Sequence, residues 1–267
     1  MAKASPVKWT REHFLIALNL YCKLPFGQFH DTNPLIIQVA KKMGRSPGSL
    51  EMQLNNFASV DPVQQARGVK GLPGIAKHAA AMWTEYFSNL PVLGPQSEQL
   101  LHDIFTSDDD KEVSVLAGDK AEFELSKAPE GPTEITVTRK ARRGQHFFRE
   151  TILNAYGLRC CISGINVPRL LIASHIKPWG NFVATRLDPR NGLCLSSLHD
   201  AAFNWGLITL DEKFKVRVSK RLKDCYGENS VKVNFAPFER EAIRMPSKVC
   251  EPSQEYLDHH RKIIFQN

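Results

Sequence analysis

The chain has 267 residues, 42% hydrophobic and 24% charged, a balance that fits a soluble globular protein and excludes wholesale disorder or a collagen-like fibre. No apolar run approaches the roughly 20 residues of a membrane helix, and the best N-terminal run, 14–18, breaks at Asn19, so no signal peptide is expected. A net charge of +7 permits polyanion binding, and six cysteines in so long a chain make no disulfide framework, which points to a reducing cytoplasm.

Charge divides the chain into three parts: residues 1–105 carry a net +3, residues 106–138 a net −6 and residues 139–267 a net +10. We expect an N-terminal domain over 1–105, an acidic linker over 106–138 and a C-terminal domain over 139–267. In the first part Thr10 can cap a helix with Phe14, Ala17, Leu18 and Tyr21 at helical spacing. Asn33-Pro34 opens a second helix, with Leu35, Ile36, Val39, Ala40 and Met43 on its apolar side and Gly44 at its end. Ser46-Pro47 opens a third, where Leu50, Leu54 and Phe57 recur.

Two short helices joined by Gly-Arg-Ser resemble a helix-turn-helix. In that reading Ser49, Gln53 and Asn56 form a polar face able to read adenine edges, and Arg45 can take phosphate or guanine. A plain helical bundle fits the same pattern. A further helix over 75–87 places Trp83 and Phe87 in the core. Within the acidic stretch, residues 121–125 and 134–138 alternate as short strands do, and the triplet 108–110 reads as solvated linker rather than as a metal cage.

The third part opens with a cationic run that includes Arg139, Lys140, Arg142, Arg143 and Arg149, enough to grip several phosphates. A helix over 147–156 leads to the adjacent Cys160 and Cys161. Residues 169–173 read as a buried strand ending at Ser174-His175, residues 188–195 as a turn feeding a second strand, and residues 198–206 as a short helix closed by Gly206. This strand–turn–strand–helix unit brings His175, Asn191 and His199 toward one place. A hairpin over 206–218 and the following residues carry Lys213, Lys215, Arg217, Lys220, Arg221 and Lys223, either a surface along nucleic acid or a solvated face. The tail, 253–265, reads as a capped helix with His260 on its apolar side, and neither His259 nor His260 is expected to be a ligand.

The runs ASHIKPW (173–179), NGLCL (191–195) and LHDAAFNWGLITL (198–210), with the preceding RKARRGQHFFRE and RCCISG, resemble the HNH (His-Me finger, ββα-metal) endonucleases and, within them, a restriction-nuclease subgroup. The resemblance spans about 139–265. It implies a ββα-metal nuclease fold for the C-terminal domain; with the helical N-terminal domain, its candidate helix-turn-helix and the acidic linker, the expected fold class is α+β. A neutral imidazole, with a pKa of about 6.5, suits activation of water, which makes His175 the candidate general base. His199 is the candidate ligand for a divalent metal, Mg²⁺ or Mn²⁺, which would offset charge at phosphorus and on the leaving oxygen. Asn191 matches the middle motif residue, which either ligates metal or holds the loop carrying the base. Arg186 and Arg190 lie in a loop from which a scissile phosphate could be clamped.

The implied activity is hydrolysis of double-stranded DNA, leaving 5′-phosphate ends, by a homodimeric restriction or defence enzyme of type II or type IV character, sensitive in the latter case to base modification. Three positions depart from the pattern. Ser174 stands where a metal-binding Asp or His is common, Phe203 where a second His is common, and Asn204 where the subgroup has Asp. They favour weak, millimolar-range metal binding and keep open an alternative, a DNA-binding regulator on a nuclease fold that has lost activity. Cys160 and Cys161 are adjacent and Cys194 has no near partner in sequence, so no structural zinc is expected.

Overall fold

The computed structural model describes residues 8–70, 76–107, 111–117, 121–127, 139–246 and 250–267. It divides into two compact units, Met1–Glu150 and Thr151–Asn267. The architecture is mixed: helices with short antiparallel strand pairs.

In the first unit, α1 (Arg11–Lys23), α2 (Pro34–Lys42), α3 (Pro47–Val60), α4 (Pro62–Ala66), α5 (Ala76–Ser88) and α6 (Leu90–Phe105) form a helical bundle. The expected caps are in place. Thr10 accepts from His13 N at 3.2 Å, Asn33 Oδ1 from Leu35 N at 2.9 Å and Ser46 Oγ from Ser49 N at 3.2 Å. Each such bond satisfies a helix N–H that has no partner within its own helix, worth about 1 kcal/mol. Gly44, at φ +66°, ends α2 and lets Arg45 N reach back to Ala40 O at 2.8 Å. The sequence pattern did not mark α4 or α6.

The polar face expected on α3 is corrected by the packing. Gln53 and Asn56 are buried, Ser49 is half-buried, and Arg45 stacks on Trp9 at 4.1 Å while its Nη1 donates to Ser49 Oγ at 3.3 Å. The reason is that α3 is a central helix, packed against α1, α2, α4 and α5, so residues off its apolar stripe are enclosed as well. Gln53 and Asn56 do not stand on an open reading surface.

Two strands, β1 (Lys111–Ala117) and β2 (Ala121–Lys127), form an antiparallel hairpin within the stretch expected as a linker. The second covers the alternating run 121–125, whereas the run 134–138 lies outside the described residues. Val113 and Val115 are buried, which ties this hairpin to a core. The long helix α7 (Arg139–Ala155) starts earlier than the expected 147. Its His146 and Glu150 join Lys23 and Glu98 in a buried charge cluster. Lys23 Nζ lies 2.7 Å from Glu98 Oε2 and 2.6 Å from Glu150 Oε2, and His146 Nδ1 lies 2.8 Å from Glu98 Oε1. Four ionisable groups are thus removed from water together and compensate one another.

The second unit is built on β3 (Leu171–His175) and β4 (Gly192–Ser196), paired antiparallel from Leu171↔Ser196 to His175↔Gly192. The helix α8 (Ser197–Asn204) packs on both strands. Leu171, Ile176, Leu193, Cys194, Leu195, Ala202 and Phe203 make the core. A second hairpin, β5 (Ile208–Leu210) with β6 (Val216–Val218), follows. Beyond it come α9 (Lys220–Lys223), α10 (Asn229–Phe235) and α11 (Gln254–His259), the last continuing into a π-turn, His260–Ile264.

Gly206 closes α8 at φ +67°, and a Cβ there would stand 2.0 Å from Ile264 O, so both backbone conformation and space demand glycine. His260 stacks on Phe203 at 3.7 Å between Thr209 Oγ1 and Phe203 O, and burial pushes its pKa down to about 4. Among the described residues no helix is long and apolar enough to cross a membrane.

Candidate active site

The ββα unit places His175 at the end of β3, Asn191 just before β4 and His199 in the first turn of α8. Each is held by a different local device.

His175 is half-buried, and its Nε2 lies 3.0 Å from the main-chain oxygen of Arg186. A carbonyl can only accept, so Nε2 carries the proton of the neutral ring and Nδ1 carries the lone pair. Burial lowers the pKa of His175, partly opposed by the Arg186 bond and by the charge of Asp200. The ring is therefore neutral at physiological pH, the state a base needs. Trp179 stands edge-on to it at 5.4 Å.

The loop from 176 to 190 is tied by Asn191, which is fully buried. Its Oδ1 accepts from Lys177 N at 2.8 Å, and its Nδ2 donates to Lys177 O and Thr185 O, both at 3.2 Å. These bonds cross the loop that carries the Arg186 carbonyl. The sequence left Asn191 as ligand or loop-holder, and its amide is committed to the loop on both ends. Arg186 adds a second tie, with Nε donating to Trp179 O at 2.7 Å, Nη2 to Gly180 O at 3.3 Å, and the guanidinium 5.1 Å from the Trp179 ring. Arg190 is exposed but already paired to Asp188, with Nη2 2.7 Å from Oδ2.

His199 is only 2% exposed. Ser196 caps α8, and as the third helical residue His199 turns its Nδ1 back to Ser196 Oγ at 2.9 Å. Cys160 Sγ lies 3.7 Å from the same nitrogen. Burial raises the Cys160 thiol, but the bonds from His199 and Ser163 outweigh it and bring its pKa down to about 6. The other nitrogen, Nε2, lies 3.1 Å from Asn234 O. Phe235 and Phe238 close on the ring edge-on, at 5.4 and 5.6 Å.

The donor set does not fit a divalent cation as it stands. Both His199 nitrogens are engaged, the Asn191 oxygen is taken by Lys177 N, and Ser174 offers a single buried hydroxyl with no hydrogen-bond partner. The other group of three potential ligands among the described residues, Glu98, His146 and Glu150, already encloses the Lys23 ammonium.

The remaining candidates for nucleic-acid contact are placed as follows. Arg143 is buried and donates to Gln99 Oε1 at 3.0 Å, so it is not an open phosphate grip. The side chains of Arg139, Lys140 and Arg142 lie outside what is described. Lys213, Lys215, Arg217, Lys220, Arg221 and Lys223 are exposed on β6, α9 and the turn before β6. The parts played by the Arg186 carbonyl, the Trp179 ring beside His175, the Cys160 thiol beside His199 and the Asn234 carbonyl were not foreseen from the sequence. No local sequence signal marks Asn234, because its part is played by a main-chain oxygen.

A family model described as HNH endonuclease matches residues 160–211, a span that contains Cys160, His175, Asn191 and His199. The match supports a nuclease of HNH type, with its domain in the C-terminal half of the chain. No curated protein matches the chain.

Proposed function

We propose that the protein is a DNA endonuclease in which His175 is the general base. The observation that carries this reading is the Arg186 carbonyl on His175 Nε2, which leaves Nδ1 as the basic nitrogen of a neutral, half-buried ring. Nδ1 would take a proton from water, the water oxygen would bond to phosphorus, and the bond to the 3′-oxygen would break with that oxygen protonated by solvent. The products would carry 5′-phosphate ends. Asn191 acts as a positioning residue for this base, through the loop it ties.

Mg²⁺ or Mn²⁺ is the cofactor that HNH enzymes lead one to expect, with His199 as ligand once one of its nitrogens is released. Double-stranded DNA is the proposed substrate, supported by the basic C-terminal part. Cutting both strands calls for two such sites, so we propose a homodimer, and the setting we propose is restriction or defence, with the N-terminal part selecting the DNA.

The test is conversion of supercoiled plasmid in Mg²⁺ or Mn²⁺ by wild type beside His175→Ala. Cleavage by wild type alone supports the enzyme. The closure of both His199 nitrogens favours the second reading, a DNA-binding regulator. Equal DNA binding by both proteins, with cleavage by neither, would support that reading instead.

A further inference from the structure

We propose that Trp205 is a stacking platform for an unpaired nucleobase, with Arg217 and Arg221 as phosphate grips beside it, so that the second unit binds single-stranded or locally opened DNA. The inference deepens the reading of the chain as a DNA-acting protein, and it concerns a surface apart from the His175 imidazole. Of the four tryptophans, three have ring partners. Trp9 meets Phe14 and Arg45, Trp83 meets Phe87 and Tyr21, and Trp179 meets His175 and Arg186. Trp205 has no ring or cation partner among the described residues and is 72% exposed. Tryptophan is highly buried on average, because its indole carries so much apolar area, and an open ring of this size calls for something to cover it.

The ring is free but its mount is rigid. Trp205 closes α8, with its N donating to Ala201 O at 3.0 Å and its O accepting from Gln266 Nε2 at 3.0 Å. The same Gln266 leads to the cations: its Oε1 accepts from Arg221 Nη1 at 3.2 Å, and the ring of the preceding Phe265 lies 5.2 Å from the Arg217 guanidinium. Arg217, Lys220 and Arg221 are exposed, and among the described residues none of them is ion-paired. The one acidic residue of α8, Asp200, is half-buried and accepts from Asn204 Nδ2 at 3.0 Å. Leu198 and Ala201, also exposed, share the Trp205 side of α8 at helical spacing. An apolar, aromatic surface could suit a second copy of the chain, but charge decides against it. A two-fold axis through this surface would bring three unneutralised cations toward their own copies. A polyanion that carries planar bases satisfies both the cations and the indole, which is how single-stranded nucleic acid is held elsewhere. A paired base keeps its faces inside the duplex, so the base that stacks here is one without a partner.

The probe is a short labelled oligothymidylate, with a duplex of the same length beside it, both titrated with the full chain in EDTA so that nothing is cut. The expected result is single-strand binding weakened at least ~5-fold in Trp205→Ala, weakened as much in Trp205→Leu, which keeps apolar bulk without an aromatic face, and restored in Trp205→Phe. Duplex binding should change less than single-strand binding. Arg217→Gln and Arg221→Gln should each lower the slope of log affinity against log salt by about 0.7, whereas Trp205→Ala leaves that slope unchanged. Unchanged single-strand affinity in Trp205→Ala overturns the proposal, and so does an equal loss on single strand and duplex. A dimer that becomes monomeric in Trp205→Ala, with oligonucleotide affinity intact, overturns it in favour of a second copy. If Trp205→Ala does not fold, the comparison of Trp205→Leu with Trp205→Phe carries the test. Plasmid cleavage is scored separately: cleavage without Trp205-dependent binding sinks the platform alone, and Trp205-dependent binding without cleavage sinks the nuclease reading alone.

Discussion

The main-chain oxygen of Arg186, 3.0 Å from His175 Nε2, decides which nitrogen of that imidazole can act as a base. The side chain of the same arginine holds Trp179 O and Gly180 O, so one residue fixes both the tautomer and the loop around the ring. This arrangement bears directly on rate, and its supports bear on stability.

Asn191→Ala should cost both. The substitution leaves Lys177 N and the carbonyls of Lys177 and Thr185 without their partner in a partly buried place. Each such loss costs about 1–3 kcal/mol. A lowered urea midpoint for the second unit and a fall in cleavage rate are expected together. Asn191→Asp should not rescue, because a carboxylate cannot donate to two carbonyls.

The acid limb of cleavage reports His175. Burial lowers its pKa below the ordinary 6.5, with the Arg186 bond and Asp200 pulling the other way. The base works when neutral, so kcat/KM should rise with pH through a midpoint below 6.5 and then level off. Removing the Asp200 charge by Asp200→Asn should move that midpoint lower still. A pH–rate profile of both proteins measures it, and a midpoint that rises in Asp200→Asn would contradict the assignment.

Stability should fall on both sides of near-neutral pH, through different units. Burial disfavours charge on His260 and sets its pKa at about 4, so as pH falls below the unfolded value near 6.5 the unfolded chain gains the proton first. The loss runs down to about pH 4 and amounts to roughly 3 kcal/mol. In the first unit, burial also opposes charge on His146, but Glu150 and Glu98 outweigh it, despite Lys23, and its pKa is raised. That contribution is fully present below about pH 6.5 and is lost as pH rises through the raised value. Denaturant midpoints across pH test both limbs. His260→Gln should flatten the acid one and His146→Gln the alkaline one.

Gly206→Ala should be among the most damaging single changes in the second unit. A Cβ at this position meets Ile264 O at 2.0 Å, and φ is +67°. The backbone conformation alone costs an alanine about 1–2 kcal/mol, and the clash adds to it by pushing the chain's last turn off Gly206, whose oxygen accepts from Gln266 N. A thermal melt that stays at the wild-type midpoint would contradict the reading.

What the sequence determined by itself was local. Caps, prolines at first turns, the glycines closing α2 and α8, and the short apolar runs of β3 and β4 all act within a few residues, so Thr10, Asn33, Ser46, Gly44 and Gly206 were legible where they stand. The ordered motifs around His175, Asn191 and His199 were legible for the same reason, and they coincide with the matched span 160–211. Only the tertiary structure decided which polar groups face water. Gln53 and Asn56 keep helical spacing off the apolar stripe, yet α3 is enclosed on several sides, and periodicity cannot count a helix's neighbours. The state of His199 was decided the same way, by the carbonyl of Asn234 arriving from a distant helix. A main-chain oxygen is common to every residue, so its arrival leaves no trace in residue type.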